Sequence, residues 1–308
     1  MLTDIRGLHH VTSMAADAQE NNDFFTKTLG LRRVKKTVNF DAPDVYHLYY
    51  GDETGSAGTV MTYFPFPHIR RGRPGTGEAS ETLFSVPEGS LGYWKERLVA
   101  EGAAGIGEHE RFGERRLRFA GPDGDGFALV EVADDPRTAF DGPVPADEGV
   151  RGFRGVTLRL RDAGATADLL KFMGYREDGT EGAITRFSID GNGADHVDVE
   201  VLAGAAPAQQ GAGSVHHVAF AVADRAAQLR VRKALMDTGF HVTPVIDRDY
   251  FHAIYFRTPG GVLFEIATNE PGFDRDEEVA HLGEALKLPT QHAHLRGQIE
   301  RLLPEIRD

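Results

Sequence analysis

Short apolar runs open and close a pattern that recurs along the chain. Gly7-Leu8-His9-His10-Val11-Thr12 and Ser214-Val215-His216-His217-Val218-Ala219 are each written like the start of a buried strand. Downstream, Tyr46-His47-Leu48-Tyr49-Tyr50 matches Phe251-His252-Ala253-Ile254-Tyr255, and Gly58-Thr59-Val60-Met61-Thr62 matches Gly261-Val262-Leu263-Phe264-Glu265. Between the matched ends each copy predicts a strand, an amphipathic helix and three short strands. The first helix ends at Phe24-Phe25-Thr26-Lys27-Thr28-Leu29-Gly30; the last runs through Val231 to Met236 and closes at Gly239. Each stops on a glycine, the residue that tolerates the left-handed backbone ending a helix.

Two weaker copies lie between. One, from about 80 to 132, carries a helix from Ser90 to Glu101, the turn Gly121-Pro122-Asp123-Gly124 and a last strand from Phe127 to Val132. The other, from about 155 to 202, carries a helix from Ala163 to Met173 and a last strand from His196 to Leu202. The chain is therefore expected to be an α+β protein of four βαβββ units. One unit cannot close a core alone, so pairing two units around a curved sheet is the simplest architecture. Taken in sequence order this gives a first domain over 5–135, a second over 150–270 and a helical tail over 274–308. Asp274, Asp276, Glu277 and Glu278 read as the cap and acidic first turn of that tail. Its helical spacing in Val279, Leu282 and Leu286, then Leu295, Ile299 and Leu302, predicts a face that either covers a barrel or joins subunits of a homo-oligomer.

The histidine pairs change the picture from structure to chemistry. Neighbours on a strand point to opposite faces, so one histidine of each pair is expected as a metal ligand. Glu265 sits in a strand otherwise written Val262-Leu263-Phe264 and Ile266-Ala267. A buried carboxylate there is costly without a cation. If the first and last units are spatial partners, two histidines and Glu265 form a three-ligand face, and half an octahedral shell stays free for substrate and O₂, as in non-haem Fe(II) oxygenases. Thr62, at the position of Glu265 in the first copy, offers no carboxylate for a four-ligand Lewis-acid site. Glu131, in Leu129-Val130-Glu131-Val132, is the rival carboxylate if the first two units pair instead. His196, Asp198 and Glu200 share one strand face, and alternation with Val197, Val199 and Val201 reads as a half-exposed strand. His292 and His294 lie in the tail and read as surface residues.

Composition narrows the classes. Cysteine is absent, which excludes disulfides, thiolate metal sites and cysteine nucleophiles. With 34 basic against 47 acidic residues the formal charge is −13, which repels a nucleic-acid backbone. No apolar run approaches the length of a bilayer span and no secretory leader opens the sequence, so a cytoplasmic protein with neither nucleic-acid nor membrane partners is expected.

At these residues the sequence resembles the vicinal oxygen chelate superfamily and, within it, the ring-cleaving dioxygenases of para-hydroquinones. The resemblance covers nearly the whole chain. It rests on Leu8-His9-His10-Val11-Thr12, Tyr46-His47-Leu48-Tyr49-Tyr50, Arg111-Phe112-Gly113-Glu114, and Tyr255-Phe256-Arg257 leading into Pro259-Gly260-Gly261-Val262-Leu263-Phe264-Glu265. It implies that the ligands are His10, His217 and Glu265, with Fe(II) the usual metal and Mn(II) an occasional substitute. It further implies catalytic roles for His216, Tyr255 and Arg248, and substrate contacts for His9 and Thr12. His252 stands where relatives carry a different polar residue and is expected to bear on substrate choice. The implied reaction joins a small aromatic, hydroquinone-type or catechol-type, to O₂. Against it stand a glyoxalase-type isomerase and a metal-free protein that sequesters aromatic compounds.

Overall fold

A computed structural model describes residues 1–307. The four units are present, each with its helix on one side of a four-stranded sheet. The first comprises β1 (Leu8–Ala15), α1 (Ala18–Asp23), β2 (Arg32–Val38), β3 (Tyr46–Gly51) and β4 (Val60–Pro65). The second holds β5 (Glu78–Val86), α2 (Leu91–Ala100), β6 (Ala104–Arg111), β7 (Glu114–Ala120) and β8 (Gly126–Glu131). The third holds β9 (Gly152–Leu160), α3 (Gly164–Phe172), β10 (Arg176–Glu181), β11 (Ile184–Ser188) and β12 (His196–Val201). The fourth holds β13 (Val215–Val222), α4 (Arg225–Asp237), β14 (Ile246–Asp247), β15 (Phe251–Arg257) and β16 (Leu263–Pro271).

Within a unit the last strand runs parallel to the first, so the first strand is left with an open edge that needs a partner. The partners do not follow the sequence halves. One eight-stranded sheet has the order β14-β15-β16-β13-β1-β4-β3-β2, joining units four and one; the other, β10-β11-β12-β9-β5-β8-β7-β6, joins units three and two. The expected domains over 5–135 and 150–270 are thus replaced by a nested arrangement. β1 finds its antiparallel partner in β13 and β5 finds its own in β9. The two connectors between sheets, around 71–76 and 207–212, bridge to one another.

The apolar strand faces and the helices form one continuous core that includes Phe25, Trp94, Phe153 and Phe220. In the second sheet the opposite face carries charge. Asp198 is fully buried and takes both arms of Arg186, at 2.8 and 2.9 Å, while Glu114 receives Arg116, Arg154 and Arg186. The strand of His196 and Asp198 is therefore not half-exposed as its alternation suggested: its polar face lines the inside of the second barrel. Glu131 lies on the opposite, helix-covered face, capping the start of α2 through the Gly89 and Leu91 amides and pairing with Arg115.

The tail differs from its expected helical form. It contains short 3₁₀ turns and a single helix, α5 (Arg296–Leu302). Asp276 and Glu277 do not cap a helix; they reach into the first barrel and pair with Lys35, whose side chain is fully buried. Phe273 and Leu282 then pack with Val34, Tyr49, Val60 and Ala219, so the tail closes the first barrel from the side away from the helices. His294 is exposed, whereas His292 is half-buried against the Phe40 carbonyl.

Between the barrels the Tyr63 hydroxyl donates to Asp125 at 2.7 Å. Burial pushes the Asp125 carboxyl up to about 6 against this hydrogen bond, from an ordinary 3.8. The folded state then holds the proton more tightly than the unfolded chain between these values, so this site's contribution to stability falls as pH rises through about 4 to 6, by about 3 kcal/mol in all. Asp125→Asn keeps an acceptor for Tyr63 and removes the titration. Urea unfolding at pH 5 and at pH 7.5 is expected to show a smaller loss in the variant than in the parent.

Candidate metal centre

Register across the first sheet assembles the site. His10 stands opposite Ala219, which is opposite Glu265, which is opposite Tyr255. In the next row Tyr49, Thr62, Thr12 and His217 lie side by side. The small Ala219 leaves room between His10 and Glu265. Buried Gln228 of α4 donates to the His252 and Ile266 carbonyls and fastens β15 to β16 behind Glu265.

Strict alternation fails at both histidine pairs, for an identifiable reason. Leu8 pairs with Phe220 but His10 with Ala219, so His9 is an extra residue on β1; Thr12 pairs with His217 but Ser13 with Val215, so His216 is an extra residue on β13. Two β-bulges, one at each end of the same ladder, re-aim these side chains. Each displaced ring turns to its neighbour: His9 Nδ1 lies 2.9 Å from His10 Nδ1, and His216 Nδ1 lies 2.8 Å from His217 Nδ1. The second member of each pair then directs Nε2 inward.

Among the described residues, His10, His217 and Glu265 bring ligand atoms within 4.8 Å of one another. His10 Nε2 and His217 Nε2 are 3.3 Å apart and lie 3.4 and 2.9 Å from Glu265 Oε2. Glu265 is fully buried, and neither carboxylate oxygen has a hydrogen-bond donor. His9 is pushed down to about 3 by burial and by His10, although a bond to the Thr268 backbone opposes the shift. It is therefore neutral, with its one proton directed at Thr268, and its Nδ1 accepts from His10. That fixes the proton of His10 on Nδ1 and leaves a lone pair at Nε2, the role outer histidines play around metal ligands. Three acceptor atoms crowded together without a donor repel one another unless a cation lies among them, and a divalent metal fits this donor set.

Above this point opens a cavity of about 470 Å³ whose walls include Phe40, Phe64, Phe251, Tyr49, Gln210 and Leu263. His10, His217, His216, Arg248 and Tyr255 all face it. His216 is held down to about 4 by burial and by His217, so it is neutral at pH 7. The Tyr255 phenol is pushed well above its ordinary value by burial and by Glu265, and Arg248 Nε donates to its oxygen at 3.3 Å. His9, Thr12 and His252 are not among the lining residues. His9 stands behind His10, Thr12 is fully buried under the floor, and His252 is half-buried on β15, where its neighbour Phe251 forms the wall.

Sequence reasoning passed over His47. Burial and the surrounding His10, His217 and Arg248 keep this ring neutral, while burial keeps the Tyr49 phenol protonated. Tyr49 therefore donates to His47 Nδ1 at 2.8 Å, and His47 Nε2 donates to Thr62 Oγ1 at 2.7 Å, which leaves the Thr62 hydroxyl for Thr12 at 3.1 Å. The Thr62 hydroxyl is thus engaged on both sides. Period-two alternation, which puts His47 and Tyr49 on one face, was the available signal.

A profile of the glyoxalase/bleomycin resistance protein/dioxygenase superfamily matches residues 7–188 and 176–266. The chain belongs to that superfamily. It is 42% identical over 306 residues to MhqO of Bacillus subtilis, provisionally named a ring-cleaving dioxygenase, covering 98% of this chain and 97% of that one. It is 37% identical to the chlorohydroquinone/hydroquinone 1,2-dioxygenase of Sphingobium indicum, covering 99% and 97%. A crystal structure of a provisionally named dioxygenase from Bacillus subtilis superposes with a TM-score of 0.95 at 40% identity, over 99% and 98% of the two chains. Glyoxalase I of Zea mays shares the fold, with a TM-score of 0.65 at 15% identity over 86% and 92%.

A bound divalent cation stabilises the folded state by mass action, by about 2.7 kcal/mol at 100 times its Kd. Mn(II) is expected to raise the melting temperature of the parent protein and to leave that of Glu265→Ala unmoved. His9→Ala should keep the site but weaken metal affinity on the order of 10-fold to 100-fold, read by competition with a chromogenic chelator.

Proposed function

We propose that this protein is an Fe(II)-dependent dioxygenase that opens the ring of hydroquinone-type or catechol-type aromatics, with His10, His217 and Glu265 holding the metal and Mn(II) as a substitute. The observation that carries this reading is the three-acceptor cluster of which two members, His10 and His217, face an aromatic-walled cavity. The engagement of Thr62 by His47 and Thr12 supports three protein ligands rather than four. Full-length relatives named as ring-cleaving dioxygenases support the same reaction class. When bound, the metal would acidify a substrate hydroxyl and provide a path for electrons from the ring to O₂.

The chain's own groups do the rest. Phe40, Phe64 and Phe251 hold an aromatic ring by its apolar faces. Neutral His216 takes the hydroxyl proton and later returns it. Arg248 faces the oxygen that becomes anionic, and its hydrogen bond to Tyr255 keeps that phenol aimed into the cavity. Substrate and O₂ combine into one product: a ring carbon–carbon bond beside the hydroxylated carbon breaks, one oxygen atom makes the hydroxylated carbon a carboxylate, and the other makes its former neighbour a carbonyl.

O₂ uptake by anaerobically purified, Fe(II)-loaded protein given hydroquinone, methylhydroquinone or catechol tests this directly. Uptake is expected with loss of the aromatic absorbance. His216→Ala should lower the rate on the order of 10²-fold to 10⁴-fold while metal content is retained. Absence of uptake with all three substrates, despite bound iron, would move the assignment to the glyoxalase-type isomerase reading.

A further inference from the structure

The cavity mouth is built from two loops that belong to different units. From unit one, the β2–β3 loop supplies Asn39, Phe40, Asp41 and Ala42; from unit four, the turn before β15 supplies Arg248. Across the mouth these walls meet through Arg248, whose guanidinium lies 5.2 Å over the Phe40 ring and 3.7 Å from Asp41.

Three consecutive tail residues grip both walls from outside. Gln291 Nε2 and His292 Nε2 reach the Phe40 carbonyl at 2.9 and 2.8 Å. One residue earlier, the Thr290 amide and hydroxyl both donate to the Asp249 carboxylate, at 2.9 and 2.8 Å. Asp249 follows Arg248 directly and holds a left-handed backbone, φ +63°, that a non-glycine residue rarely adopts. Arg275 clasps the same residue from the other side, donating to its carbonyl and its carboxylate. The grip is anchored further back, where the Lys287 amide bonds to Lys36 on β2 and Asp276 and Glu277 pair with Lys35.

We propose that Thr290, Gln291 and His292 form a clasp that sets the distance between Phe40 and Arg248, and thereby which ring substituents enter. These are positioning residues; none lines the cavity. The proposal rests on the dioxygenase reading for its substrates, but its geometry concerns the chain alone. A tail of 3₁₀ turns has little stability of its own, so its order comes from these contacts. The selectivity of the mouth is then encoded outside the repeated units.

The test compares Gln291→Ala/His292→Ala and Thr290→Val with the parent and with Thr290→Ser, using hydroquinone and the wider tert-butylhydroquinone. Opening the clasp is expected to raise KM for hydroquinone on the order of 10-fold, to change kcat little, and to shift preference toward the wider ring; Thr290→Ser should behave like the parent. Hydrogen–deuterium exchange should quicken in 39–45 and 247–250 while the β1–β13 ladder stays protected. An unchanged substrate ratio, or equal loss of kcat and kcat/KM for both rings with a lowered melting temperature, would overturn the clasp. If the parent itself takes up no O₂, the functional reading fails on its own, and the exchange measurement decides the clasp: unaltered exchange in both loops rejects it.

Discussion

The antiparallel ladder between β1 and β13 is the contact on which the rest of the molecule depends. Each unit leaves its first strand with unpaired backbone donors and acceptors, and an exposed edge of that kind must be covered. Pairing the first strand of unit one with the first strand of unit four covers both edges at once and brings residues 207 positions apart, His10 and His217, into contact. Units two and three are left to pair with each other, so the nested topology follows from one choice of partner. The linkers that bridge around 71–76 and 207–212 are the geometric cost of that choice.

The same ladder also supplies the chemistry. Its two bulges are related by the approximate twofold symmetry of an antiparallel pair, and each inserts one histidine beside another. Without the bulges His9 and His216 would point away from His10 and His217, and the tautomers of those rings would be unset. With them, each ring has a defined partner at Nδ1, and the inward Nε2 lone pairs converge on a carboxylate that has no donor of its own. The second barrel shows what the fold does with an equivalent interior when no metal is provided for. There Asp198 and Glu114 are neutralised by Arg116, Arg154 and Arg186. Both barrels bury carboxylates on the face away from the helices. The second barrel compensates them with fixed guanidinium groups; the first uses Lys35 for Asp276 and Glu277 and offers Glu265 no fixed cation.

Much of this was legible in the sequence, and the limits have physical causes. Periodicity is a local signal, so the four units, their helices and the place of Glu265 in an apolar strand could be read directly. Which units pair is a long-range choice: the histidine pairs shared by β1 and β13 pointed to units one and four as partners, while dividing the chain in sequence order pointed to units one and two. Alternation also predicted opposite faces for paired histidines; a bulge breaks period two without any residue type that announces it, since neither His9 nor His216 is a glycine. Asp276 and Glu277 resembled a helix cap because caps and buried ion pairs use the same residues, and only Lys35 across the barrel separates the two.

The tail shows why the least legible segment still bears on function. Its residues carry no strong period because they form no long element; their positions are fixed by groups contributed from the first and fourth units. A side chain such as Asp249, held in a left-handed conformation by Thr290 and Arg275, has its backbone strain balanced by hydrogen bonds from 3₁₀ turns rather than from the sheet. The floor of the cavity is set by the ladder, where substitution disturbs the core. The rim is set by exposed hydrogen bonds, where substitution need not. Floor and rim are thus held by different classes of interaction, so a change in the hydrogen bonds at the rim need not propagate to the floor.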